Sequence, residues 1–256
     1  MSAPVCSFGW YELMTTDTQA AGKFYADVVG WTPRDVGNAF MPYTTFNIGE
    51  VGVAGMMKLP EEAGSMPGWV GYIHVPDTDD YAQRVVAAGG KLHKGPIDVP
   101  DMLRFAVVID AQGAFFVLFT GDPKMATPPQ RPAPGTAGTI GWHELMAADG
   151  ASAFDFYSGL FGWTKGEGHD MGPMGIYQLF DINGVSSGGM MTKPPNLPSP
   201  FWSYYFNVDG IRAAVARVEA GGGKLVNGPM QVPGGQWIIQ GNDPQGAFFC
   251  LVSTTE

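Results

Sequence analysis

GWYELMTTD at residues 9–17 returns as GWHELMAAD at residues 141–149, and this near-repeat decides how the rest of the chain is read. Working outward, Phe24-Tyr25 returns as Phe156-Tyr157, and Gly30-Trp31 as Gly162-Trp163. Gly55-Met56-Met57 returns as Gly189-Met190-Met191, and Gly89-Gly90-Lys91-Leu92 as Gly222-Gly223-Lys224-Leu225. Gln112 to Phe116 (QGAFF) returns at Gln245 to Phe249. The offset starts at 132 and becomes 133 or 134, so few insertions separate two copies of one unit. A period this long with only two copies means tandem domains, because a solenoid repeats at a shorter spacing and more often. The expected division is a first domain at 1–122, a linker at 123–138 and a second domain at 139–256. Five prolines among small and polar residues between Gly121 and Gly138 predict a stiff spacer without its own core.

Within one copy, Phe8 to Thr15 alternates as a strand does. Asp17 or Thr18 can cap a helix over Gln19–Val29, which Gly30 ends. Strand-like runs follow at Thr32–Val36, Tyr43–Ile48 and Val51–Lys58. The pattern then restarts: a strand at Trp69–Val75, a helix from Asp77 or Thr78 to Ala88, and strands at Lys91–Val99, Leu103–Ile109 and Phe115–Phe119. Each copy is therefore βαβββ twice, an α+β arrangement. One βαβββ has too little apolar surface to stand alone, so two are expected to curl eight strands round a shared hollow with helices outside.

The whole chain has 256 residues, 45% hydrophobic and 15% charged, with a net charge of −10. Such a composition folds into packed domains. With 14 Lys and Arg, the chain lacks the clustered cations that nucleic acid or an anionic membrane requires. No apolar run approaches the ~20 residues of a membrane helix, and the start carries no secretory pattern. Cys6 and Cys250 make no disulfide framework, which predicts a reducing, cytoplasmic setting.

The module order, with Phe-Tyr in the first helix, Gly-Trp at its end and D-x-x-G at the last hairpin, resembles the vicinal oxygen chelate superfamily. That group takes in glyoxalase I, bleomycin- and fosfomycin-resistance proteins and extradiol dioxygenases, and the tandem form resembles its two-domain, glyoxalase-like branch. The resemblance implies two tandem half-open barrels of eight strands. It also implies where metal-using relatives place His, Gln or Glu ligands: Trp10, Val70 and Val117 in the first half, Trp142, Ser203 and Cys250 in the second. None of these makes a usual set for a hard divalent ion, so no metal and no cofactor are expected.

Alternation places Trp10, Glu12 and Met14 on one face of the first strand, and Trp142, Glu144 and Met146 on the matching one. A carboxylate on an apolar strand needs a partner or a raised pKa. Glu12 and Glu144 are thus candidate general acids or bases, or anchors for a ligand; the competing reading is a structural hydrogen bond. His74 shares a face with Tyr72, and the second copy has Tyr205 and Asn207 there. His74 is either an acid–base group of the first site or a satisfied core residue. Tyr72 and Tyr205 either orient a ligand or fill space. His169 falls on an expected loop, and His93 is given no role. No P-loop, dinucleotide fingerprint or nucleophile elbow occurs.

Three functions compete: a metal-independent enzyme of lyase, isomerase or hydrolase type on a small, partly apolar molecule; a protein that sequesters such a ligand without turnover; and a metal-dependent glyoxalase or dioxygenase, which needs a different ligand placement. Contact between the two domains is expected to replace a homodimer.

Overall fold

The computed structural model describes residues 5–37, 42–60, 66–122 and 131–256. The first repeat runs β1 (Ser7–Thr15), α1 (Thr18–Val29), β2 (Thr32–Asp35), β3 (Thr44–Ile48), β4 (Val51–Lys58), β5 (Gly68–His74), α2 (Thr78–Ala87), β6 (Lys91–Val99), β7 (Leu103–Ile109) and β8 (Phe115–Gly121). The second runs β9 (Ile140–Ala147), α3 (Gly150–Phe161), β10 (Thr164–Asp170), β11 (Ile176–Ile182), β12 (Val185–Thr192), β13 (Phe201–Asn207), α4 (Ile211–Ala220), β14 (Lys224–Gln231), β15 (Trp237–Asn242) and β16 (Phe248–Ser253). A short 3-10 turn, Gly172–Met174, joins β10 to β11. Part of the expected linker, residues 123–130, lies outside the described residues.

Each repeat forms one eight-stranded sheet. The strand orders, β2-β3-β4-β1-β5-β8-β7-β6 and β10-β11-β12-β9-β13-β16-β15-β14, are the same topology twice. The helix ends follow from local chemistry. Asp17 accepts from the Ala20 N–H and Asp149 from the Ser152 N–H, satisfying amides the first turn leaves unpaired. Gly30 and Gly162 close the same helices at φ 87° and 72°, the left-handed region where a Cβ is unfavourable.

His169 sits on β10, opposite Tyr177 of β11, and not on the loop its glycine-rich surroundings suggest. The glycines flanking it are absorbed by a register shift between Lys165 and Gly168.

By its contacts the chain divides into two compact units, one within 1–9, 71–128 and 143–202, the other within 10–70, 129–142 and 203–256. Each unit draws on both repeats, and each is held by the same buried relay. In the second unit Trp69 Nε1 donates to the Tyr25 hydroxyl at 2.9 Å, and that hydroxyl donates to Asp243 Oδ2 at 3.1 Å. Asp243 Oδ1 accepts the Gln245 and Ala247 N–H groups, both at 2.9 Å. In the first unit Trp202 donates to Tyr157 and Tyr157 to Asp110, both at 2.9 Å. Asp110 Oδ1 accepts the N–H groups of Gln112, Gly113 and Ala114. Burial, then the Asp243 charge, pushes the Tyr25 phenol well above its ordinary pKa, so it keeps its proton and always donates. The carboxylate belongs to the D-x-x-G turn of one repeat and the tyrosine to the Phe-Tyr pair of the other. Aromatic cores surround both relays, with Trp31, Phe46, Phe206 and Phe249 about Tyr25, and Phe116, Phe161 and Trp163 about Tyr157.

His143 stacks on Phe8 at 4.3 Å, and its Nδ1 lies 2.7 Å from the Ser187 carbonyl. A carbonyl only accepts, so Nδ1 carries the proton of a neutral ring. Burial holds its pKa down to about 4, against a smaller opposing effect of that hydrogen bond.

Tyr25→Phe or Tyr157→Phe leaves a buried carboxylate one donor short and lowers stability by about 1–3 kcal/mol in urea unfolding. His143 binds fewer protons folded than unfolded between pH ~6.5 and ~4. Its contribution is therefore complete above about pH 6.5 and is lost as the pH falls toward 4. In the wild type this loss amounts to roughly 2–3 kcal/mol. His143→Phe should flatten that part of the stability–pH profile, and an unchanged slope would show that the ring does not titrate there.

Candidate functional site

The face of β1 that carries Trp10, Glu12 and Met14 is the partly open one, and the intervening Tyr11 and Leu13 are buried. Glu12 is the exception on its face, only 7% exposed. The Tyr43 hydroxyl donates to Glu12 Oε2 at 2.9 Å, and Trp10 Nε1 donates to the same hydroxyl at 3.0 Å. In the second repeat Glu144 is 8% exposed and accepts from the Tyr177 hydroxyl at 3.1 Å. Met14, Trp142 and Met146 are half-buried on the matching positions.

Burial first, and then the Glu12 charge, raises the Tyr43 pKa far above its ordinary value. The phenol therefore stays protonated and acts toward the carboxylate as a fixed donor. Trp10 works the same way one step further out, since an indole N–H can only donate.

A glycine makes room for each pair. Gly55 lies opposite Glu12 on parallel β4, and Gly189 opposite Glu144 on β12. A Cβ on Gly55 would stand 1.9 Å from the Tyr43 hydroxyl, and one on Gly189 would stand 2.2 Å from the Tyr177 ring. The Gly-Met-Met step thus serves two faces: its glycine lets a tyrosine cross the sheet, while Met56 and Met190 are buried. Neither tyrosine was among the sequence-derived candidates. The signal was present, because Tyr43 and Tyr177 stand at the offset of 134 that the Gly-Met-Met step shows.

The other candidates fall into separate groups. Tyr72 is buried, with its ring 6.1 Å from Phe119. His74 is exposed and packs edge-on against Phe119 at 5.3 Å, which corrects its reading as a core residue: it is the last residue of β5, where cover ends. Asn207, its counterpart, is buried and donates to the Thr139 carbonyl at 3.1 Å and hydroxyl at 2.9 Å, bracing the strand entry. Tyr205 is buried with Cys250 and Val252, and Trp142, Ile238 and Phe248 pack against them. Gln240 donates to the Tyr205 hydroxyl at 2.7 Å.

Comparison with known proteins agrees with the fold. Residues 7–118 and 139–251 each match the sequence profile of the Glyoxalase/Bleomycin resistance protein/Dioxygenase superfamily. A Mycobacterium tuberculosis protein named "Putative glyoxylase CFP32" is 31% identical over 251 residues, covering 95% of this chain and 93% of that one. The anthracycline biosynthesis protein DnrV of Streptomyces peucetius is 28% identical over 263 residues, covering 96% and 93%. Among solved structures, the Mn(II)-bound glyoxalase of Novosphingobium aromaticivorans superposes with a TM-score of 0.68 at 16% identity, covering 100% of this chain and 84% of that one. The 2,3-dioxygenase LapB of Pseudomonas sp. KL28 gives 0.65 at 12%, covering 98% and 93%.

A metal of the kind the superfamily resemblance implies does not fit the residues at the corresponding positions. Trp10 and Trp142 offer an indole that cannot ligate, Val70 and Val117 offer hydrocarbon, and Ser203 and Cys250 offer a neutral hydroxyl and a buried thiol. Among the described residues, no three His, Cys, Asp or Glu side chains come together as a ligand set.

Gly55→Ala and Gly189→Ala should each expel the adjacent tyrosine from its carboxylate and cost about 1–3 kcal/mol, the usual range for overpacking. A crystal structure of either variant with its Glu–Tyr hydrogen bond intact would refute this account of the glycine.

Proposed function

Because the chain belongs to the Glyoxalase/Bleomycin resistance protein/Dioxygenase superfamily, we propose that it is a metal-independent enzyme that binds a small, partly apolar molecule beside Glu12 in one unit and, separately, beside Glu144 in the other. Each carboxylate moves a proton on the molecule bound in its own unit, a chemistry of isomerase or lyase type. The observation that carries this reading is the 2.9 Å hydrogen bond from Tyr43 to Glu12, with its counterpart from Tyr177 to Glu144.

A buried carboxylate is a strong electrostatic element only if its position is fixed, and a permanently protonated phenol fixes it. Glu12 then takes a proton from an acidic C–H or O–H of the bound molecule. The bonding pair stays on the substrate, and the same carboxyl group returns the proton at another atom or to a leaving group. No step passes through a metal ion. Trp10 and the methionines beside the glutamates supply an adaptable apolar surface for the rest of the molecule. The relative named for anthracycline biosynthesis supports a partly apolar substrate.

The net charge of −10 speaks against nucleic acid and anionic lipid as partners. Among the described residues no helix is long and apolar enough to cross a membrane. Two cysteines in the whole chain make no disulfide framework, which supports a cytoplasmic location.

The test starts from the molecule that co-purifies with the protein, identified by mass spectrometry. Glu12→Gln and Glu144→Gln keep an acceptor for each tyrosine but remove the base. Turnover of that molecule should fall by about 100-fold or more while affinity changes only a few-fold. Unchanged turnover in both variants would make the glutamates structural. Binding without turnover in the wild type would favour sequestration.

A further inference from the structure

The two units share their tyrosine–aspartate relays but differ beside the helix that supplies the tyrosine. In the second unit Phe24 is 2% exposed, with its ring 5.5 Å from Phe249. Gly221 makes this seat possible, because a Cβ there would stand 2.9 Å from the Phe24 ring. Arg217 donates to the Val28 carbonyl from Nε at 3.2 Å and from Nη2 at 3.0 Å, tying α4 to the end of α1. Lys23 and Asp27, one turn apart on α1, form an ion pair at 2.5 Å.

The first unit fills the same positions differently. Ala88 stands in the place of Gly221 with nearly the same backbone, φ −84° against −78°, so the difference is the added methyl and not the path of the chain. A methyl there takes the space that the ring uses in the other unit, and Phe156, the counterpart of Phe24, is only half-buried. Arg84, the counterpart of Arg217, pairs with Asp80 of its own helix at 2.7 Å and lies over the Tyr81 ring. Asp155 and Gly159 replace the Lys23–Asp27 pair. Where the end of α2 and the β7–β8 turn meet α3, a cleft of about 530 Å³ stays open, within the roughly 300–1,000 Å³ of small-molecule sites.

The lining decides what the cleft can take. Ala88, Ala111, Phe156 and Leu160 give it apolar surface. Two of its polar side chains, Gln112 and Ser152, are already engaged. Gln112 Nε2 donates to the Asp149 carbonyl at 2.9 Å and to the Ser152 hydroxyl at 3.0 Å, and its Oε1 accepts the Asp149 N–H at 2.7 Å. The Ser152 hydroxyl donates to Asp149 Oδ1 at 2.7 Å. Asp155 also lines the cleft and is exposed, and among the described residues its carboxylate takes no hydrogen bond and no ion pair. An ionised carboxylate only accepts, so a fitting ligand brings N–H donors. A net charge of −10 favours a ligand that is also positive.

We propose that this cleft binds a small molecule with a flat apolar body and a protonated amine, the body against Phe156 and Leu160 and the amine on Asp155. The site belongs to the first unit alone and goes beyond the proposed function, since none of its lining residues is part of a glutamate–tyrosine pair. At the same place the second unit offers neither the space, which Phe24 fills, nor the charge, which Lys23 reverses.

The probes are tryptamine and tryptophol, which share an indole and differ in carrying an ammonium or a hydroxyl, measured by titration calorimetry on the full chain. Tryptamine should bind the wild type more tightly by about fivefold at low salt, the upper worth of an exposed ion pair, and the margin should close in about 1 M salt. Asp155→Asn should bring the two affinities within about twofold and leave tryptophol unchanged. Gly159→Leu should weaken tryptamine by about tenfold or more by filling the cleft. That variant keeps the fold, because a Cβ on Gly159 meets nothing within 4 Å and leucine suits a helix better than glycine. Equal affinities in the wild type, or an amine preference that survives in Asp155→Asn, overturn the role of Asp155. Tryptamine binding that is unchanged in Gly159→Leu, or absent from the wild type, overturns the site.

Discussion

Two buried carboxylates, Asp110 and Asp243, are the points on which the architecture turns. An ionised group inside a protein is tolerated only when its oxygens are filled with donors. Here one oxygen takes the amides of its own D-x-x-G turn and the other takes a tyrosine. The turn alone therefore cannot complete its carboxylate, and the missing donor comes from the first helix of the opposite repeat. The indoles of the Gly-Trp pairs follow the same rule. Trp31 donates to the Gly138 carbonyl at 2.8 Å and Trp163 to the Cys6 carbonyl at 2.7 Å, again across repeats. Each compact unit is thus assembled from both halves of the sequence, although each sheet comes from one.

The same economy of donors governs the glutamates. Asp110 and Asp243 are anchored to backbone amides of a tight turn, which leaves them no room to do chemistry. Glu12 and Glu144 stand instead in mid-strand, where the backbone is already committed to the sheet, so a side chain must supply the donor. That requirement calls for a tyrosine from a neighbouring strand and for a glycine between them. A residue with any side chain at 55 or 189 would occupy the space the phenol needs. The Glu–Tyr–Gly set is consequently a single device, present once per repeat, in which no member is explained without the other two.

Much of this was legible in the sequence. Strands, helices, the Asp caps and the closing glycines are local, and the pattern of residues states them directly. The faces of β1 and β9 were legible too, because alternation sets which of Trp10, Tyr11, Glu12 and Leu13 share a side. What the sequence left open is pairing between near-identical copies. Tyr25 is equally compatible with Asp110 and Asp243 as a partner, since both turns follow the same D-x-x-G pattern, and only the packed structure distinguishes them. Tyr43 escaped notice for a related reason: it precedes a short strand, and its hydroxyl reaches Glu12 over 31 positions of chain. His74 misled because its burial depends on where the strand ends, and one residue at an edge reverses it. His169 misled because glycines that usually mark a loop were taken up by an irregular strand pair.

Setting the repeats side by side separates what the fold requires from what it permits. The tyrosine–aspartate relays, the indole donors and the Glu–Tyr–Gly sets have identical residues in both copies. Val107 against Gln240, Val117 against Cys250, His74 against Asn207 and Lys94 against Asn227 do not match, and all lie on strands β5 to β8 and their counterparts. Architecture does not account for those differences, since both sheets have the same strand order around either set. A valine and a glutamine amide are opposite in what they ask of a neighbour: one needs only contact, the other needs a donor or acceptor.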